Sequence, residues 1–88
     1  MANWQNTIDL TDVWESNNVR EIAGAIATRL EKLSPYTDED IEYERFDLAE
    51  AFKDAALDED LNVHAFNSLM SELYDWGDND HSCWIQTF

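Results

Sequence analysis

Between residues 38 and 60 the chain carries eleven acidic residues against two basic ones, and any fold must keep nearly all of those charges in water. The segment meets that demand by spacing. Ile41, Leu48, Phe52 and Ala55 recur at helical intervals, with Phe46 and Ala49 beside them, while Asp40, Glu44, Asp47, Asp54 and Asp58 recur at similar intervals on another side, with Ala51 filling the gap. Steps of three and four residues gather each set on one side of an α-helix. The pattern predicts a helix with an apolar side and an acidic stripe. Thr37 is its expected N-cap, and Asp38, Glu39 and Asp40 suit the positive end of its dipole. Residues 57–60 read as a short break.

The flanking segments supply partners for the apolar side. Val19, Ile22, Ala23, Ile26, Leu30 and Leu33 form one apolar stripe. Asn18 with Glu21 resembles a capping box at its start, and Ser34-Pro35 ends it, because the residue before proline avoids the helical region. A third helix starts near Asn62 and carries Val63, Phe66, Leu69, Met70, Leu73 and Trp76, with Gly77 placed as its C-terminal cap and Asp78-Asn79-Asp80 as the turn beyond. Ile8 and Leu10 alternate with polar neighbours within residues 5–13, and residues 82–88 form a second strand candidate. A lone strand leaves its backbone groups unpaired, so the two ends are expected to join. The expected fold is α+β: one domain, residues 1–88, of three helices packed on a small two-stranded antiparallel sheet formed by the N- and C-terminal segments. An all-α fold is the alternative. Four Trp, three Tyr and four Phe separate this chain from a disordered acidic tail, since such tails are poor in aromatics.

Twenty acids face five bases, a net charge of −15. That balance argues against direct binding of nucleic acid or of anionic membranes, both of which need a basic face. It favours a basic protein partner, and the largest basic surfaces belong to proteins that hold nucleic acid. The charge also exceeds the magnitude of about 2–8 that solubility asks of a small domain. No basic start followed by an apolar run suggests a signal peptide, no apolar run approaches a membrane span, and Cys83 stands alone, so a cytoplasmic protein is expected.

Candidate chemistry is thin. Asp58-Glu59-Asp60-Leu61-Asn62 begins like a calcium loop, but Val63 stands where glycine is required and Leu69 where glutamate is. Asp75, Asp78 and Asp80 read as a solvated turn, and His81 with Cys83 is half of a zinc ligand set. Cys83, in a strand and among acids, reads as a small buried hydrophobe with a raised pKa. His64 reads as a surface histidine. The chain is therefore expected to hold no metal and no cofactor and not to be an enzyme.

The acidic stripe is the expected working surface. At about 1.5 Å rise per residue, its neighbours lie roughly 5 Å apart along the helix axis, against ~3.4 Å between phosphates on one DNA strand. A protein built to hold phosphates meets a similar linear charge density here. Partner contacts are expected at Asp40, Glu44, Asp47, Asp54 and Asp58, supported by Glu39, Glu42 and Glu50.

Residues 7–14 (TIDLTDVW), 73–80 (LYDWGDND) and 83–88 (CWIQTF) resemble small acidic proteins encoded by bacteriophages and prophages. The resemblance implies an inhibitor of host defence, of the anti-CRISPR or DNA-mimic type that blocks Cas complexes or restriction enzymes. The expected function is thus a phage-encoded inhibitor of a basic, nucleic-acid-binding host protein, acting in the host cytoplasm as an acidic nucleic-acid mimic. The alternative is a non-enzymatic adaptor or oligomer-forming protein that binds through exposed aromatic surface, with monomer and dimer both open.

Overall fold

A computed structural model of the chain describes residues 4–80 and 82–87. The expected contributions of His81 and Phe88 lie outside them. The elements run β1 (Asn6–Asp9), a single 3-10 turn (Val13–Glu15), α1 (Val19–Glu31), α2 (Glu39–Leu57), α3 (Val63–Tyr74), a π turn (Asp75–Asn79) and β2 (Cys83–Gln86).

The two ends do pair, but in parallel, with Asn6 opposite Cys83 and Asp9 opposite Gln86. This corrects both the antiparallel expectation and the all-α alternative. A period of two reveals a strand and is silent about its direction. Direction depends on how often the chain reverses between the strands. Three helices stand between β1 and β2, and if each element reverses the one before, β2 returns in the sense of β1. A parallel pair needs just such a long crossover. Ile8, Cys83 and Ile85 turn into the core, while Thr7, Asp9, Trp84 and Gln86 stay exposed. The Leu10 N–H extends the ladder to the Gln86 carbonyl at 2.8 Å.

Each helix begins on a side chain that accepts an otherwise orphaned N–H. Asn18 accepts from Arg20 N at 3.0 Å and Asn62 from Ala65 N at 2.8 Å. The capping box expected at Asn18 does not close, because Glu21 accepts from the Ser16 hydroxyl at 2.7 Å instead. For α2 the cap is Asp38 and not Thr37, since its carboxylate reaches both Asp40 N (2.9 Å) and Ile41 N (3.3 Å). Gly77 does not cap α3. The helix widens there into the π turn, which buries Trp76 and Gly77. A Cβ on Gly77 would lie 2.6 Å from Ile85 Cδ1 and 2.8 Å from the Cys83 carbonyl oxygen, so glycine is required for the turn to touch β2.

The junction of α1 and α2 is built on a charge placed inward. Arg45, 3% exposed, takes the core-facing place on α2, whereas Phe46, expected beside the apolar side, is 56% exposed. Arg45 donates through a terminal nitrogen to the Leu30 carbonyl at 2.8 Å, in the last turn of α1. Its Nε and other terminal nitrogen hold the Glu42 carboxylate, with Nε to Oε2 at 3.0 Å. Glu42 also accepts the Tyr36 N–H at 2.9 Å. The Tyr36 hydroxyl donates to the Ser82 carbonyl at 2.5 Å, and its ring meets Trp76 edge-on at 5.6 Å. One network therefore joins α1, α2, the connection between them and the start of β2.

Arg45, followed by the Tyr36 N–H, holds the Glu42 carboxyl below its usual pKa. A depressed carboxyl stabilises the fold above its unfolded pKa and loses that contribution as pH falls through the folded value. Glu42→Gln is expected to cost about 1–3 kcal/mol at pH 7 in urea titrations. The gap from the parent should close once the pH is below the depressed value. Gly77→Ala is expected to cost about 1–3 kcal/mol in the same assay, because the new methyl group presses on backbone.

Candidate partner-binding site

The helix that carries the predicted stripe packs closely on α1 and only loosely on α3. A groove opens on the loose side, as two adjoining hollows of about 500 and 450 Å³. In the first, Glu44, Asp47, Leu48 and Ala51 of α2 face Glu72 of α3 and Asp75, Trp76 and Asp80 beyond it. In the second, Ala51, Asp54, Ala55 and Asp58 face Leu61, Ala65, Ser68, Leu69 and Glu72. Ala51 and Glu72 belong to both.

Four of the predicted contacts, Glu44, Asp47, Asp54 and Asp58, thus share one side of the groove. Asp40 is exposed in the first turn of α2 but does not line it, and Glu39 and Glu50 are exposed elsewhere on the helix. Glu42 is committed to Arg45 and is a structural residue. Sequence reasoning missed Glu72, Asp75 and Asp80. Their only signal was that Glu72 and Asp75 flank the apolar positions Leu69 and Trp76 at helical spacing. Nothing in that spacing says that α3 faces α2.

Among the described residues, seven carboxylates line the groove and no Lys or Arg does. The arginines are occupied elsewhere. Arg20 donates to the Ala56 carbonyl at 3.1 Å, Arg29 pairs with Asp12 at 2.9 Å, and Arg45 pairs with Glu42. The groove is acidic at its rims and apolar on its floor, where Leu48, Ala55 and Trp76 are buried and Ala51, Leu61 and Leu69 are half-buried.

The aromatic residues divide. Trp76 is core, its Nε1 donating to the Ile41 carbonyl at 3.2 Å. Trp14 is 40% exposed and lies edge-on to Phe66. Trp84 is 45% exposed on the outer side of the sheet, with the Trp4 ring centroid 5.8 Å away. Tyr43 and Phe46 are exposed on α2.

Cys83 is fully buried, and burial pushes its thiol up to about 11, while burial likewise raises the Tyr36 hydroxyl to about 12. His64 is exposed and His81 lies outside the described residues. Among the described residues no three His, Cys, Asp or Glu side chains are grouped to hold a metal ion, and no helix is long and apolar enough to cross a membrane. Set against protein families, curated proteins and solved structures, the chain matches none.

Because Cys83 is sealed and its thiolate disfavoured, iodoacetamide at pH 8 is expected to leave the folded protein unmodified. Alkylation should go to completion in urea, as read by intact mass.

Proposed function

We propose that the protein is a non-enzymatic, acidic nucleic-acid mimic that occupies the basic surface of a nucleic-acid-binding protein. The observation that carries the reading is the pair of carboxylate rows along the groove, Glu44, Asp47, Asp54 and Asp58 on one side and Glu72, Asp75 and Asp80 on the other, with no Lys or Arg lining it among the described residues. Two lines of negative charge flanking a groove support this reading, since a duplex likewise presents two rows of phosphate charge along each groove. Uncompensated rows cost the isolated protein self-repulsion, and a basic partner relieves that cost. They also steer encounter at long range, in a manner that weakens with salt. The phage-type resemblance of the chain's two ends supports a host defence complex of the Cas or restriction type, met in the bacterial cytoplasm, as the owner of that surface.

A second reading rests on a different observation, the half-exposed Trp84 with Trp4 beside it on the outer side of the sheet. Exposed paired aromatics suit an adaptor or oligomer contact.

The two readings part in one experiment. The tagged protein is used to capture partners from nuclease-treated bacterial lysate, with washes at about 50 mM and then about 500 mM salt, a range over which screening lengths shorten several-fold. Mimicry predicts capture of a nucleic-acid-binding protein that is released by high salt and by added duplex DNA. It also predicts loss of that capture in the triple variant Glu44→Lys, Asp47→Lys, Asp54→Lys, whose thermal stability should not fall because repulsion is relieved. Capture that resists salt, survives the triple change and is lost in Trp84→Gln would favour the aromatic surface.

A further inference from the structure

The groove between α2 and α3 is more than a charged surface, and its apolar floor narrows the partner. We propose that it receives an amphipathic α-helix of the partner, with apolar residues one and two turns apart entering the floor and Lys or Arg on both flanks meeting the rims. The inference rests on the mimicry reading above and specifies its contact.

Shape supports a helix. On α2 the first hollow spans residues 44–51 and the second residues 51–58. Their centres are therefore about seven residues apart, or roughly 10 Å at 1.5 Å per residue. That is the separation of positions i and i+7 on a second helix lying alongside, the spacing by which helices anchor in grooves. Ala51 forms the saddle common to both hollows. Its short side chain keeps the saddle low, so a rod can lie across both hollows. Ala65 is the short side chain of the opposite wall at the second hollow, where Glu72 lines both hollows from α3.

Chemistry selects the kind of helix. The floor offers the half-buried Ala51, Leu61 and Leu69 over the buried Leu48 and Trp76, a surface that rewards apolar side chains and not phosphates or sugars. Apart from Ser68, the polar side chains of the rims are carboxylates, which reward cations on both flanks of the same helix. A basic recognition helix lies in the major groove of DNA in the same manner, its flanks on the phosphates. Here the floor exchanges base edges for apolar surface.

The test uses the whole protein and two fluorescein-labelled peptides of about 18 residues made of Leu, Ala and Lys. One places Leu at i, i+4, i+7 and i+11 with Lys on the flanks. The other has the same composition in an order that destroys the period. Fluorescence anisotropy at about 100 mM salt is expected to show the patterned peptide binding at least ten-fold more tightly. Ala51→Trp fills the saddle without changing charge, and should bring the patterned peptide down to the level of the shuffled one. Ala65→Trp blocks the second hollow from the opposite wall and should weaken the patterned peptide likewise, so the pair guards against a folding defect, which circular dichroism and thermal melts would reveal. Equal binding of the two peptides, or no loss in either tryptophan variant, would overturn the helix proposal while leaving a charge-only contact and the mimicry reading intact. Failure of the wild-type protein to bind either peptide would also overturn it, and the lysate capture then decides separately whether mimicry stands.

Discussion

The guanidinium of Arg45 is the point from which the rest of this structure is held. A helix end buried against another helix leaves carbonyls that water cannot reach, and an unsatisfied group of that kind costs as much as a lost hydrogen bond. Arg45 reaches the Leu30 carbonyl in the last turn of α1, and so satisfies one of them from α2. Burying the cation to do so is tolerable only with a partner, and Glu42 supplies it one helical turn earlier. Because Glu42 also takes the Tyr36 N–H, the pair clamps the connection between α1 and α2 as well as the two helices. Tyr36 carries the constraint on to β2 through the Ser82 carbonyl.

This arrangement decides which sides of α2 are free. With Arg45, Ala49, Phe52 and their neighbours committed to the core, the side opposite is left to solvent. The side between core and solvent is left to whatever α3 does not cover. The acidic stripe falls on that last side, and Ala51 keeps its middle low. The groove is thus a consequence of tight packing on α1 and loose packing on α3. Its charge persists because the arginines are spent within the fold, on Ala56, Asp12 and Glu42.

Much of the helical layout is legible in the chain. The apolar steps from Ile22 to Leu30 and from Phe66 to Leu73 identify their helices, since period and burial agree at those positions. Asn62 is the cap that its position suggests. The failures have particular causes. Thr37 and Asp38 are both good caps, and only the backbone geometry chooses the second. Gly77 signals a helix end by composition but serves as the contact point for β2, a role visible only once Ile85 and Cys83 lie against it. Phe46 and Arg45 exchange the places that polarity assigns them, because a long-range carbonyl outweighs the local preference. In the site, the α2 half of the groove was readable as a stripe. The α3 half was not, because Glu72, Asp75 and Asp80 acquire meaning only opposite that stripe.

The sequence by itself determined the elements that period and capping chemistry specify: three helices, two terminal strands, and a column of carboxylates on the second helix. These are local properties, set by residues within a turn or two of one another. The tertiary structure decided the parallel sense of the strands, the inward turn of Arg45 and the meeting of two acidic rows across an apolar floor. Each of those depends on contacts between residues far apart in the chain, where hydrophobic periodicity carries no information about which side meets which.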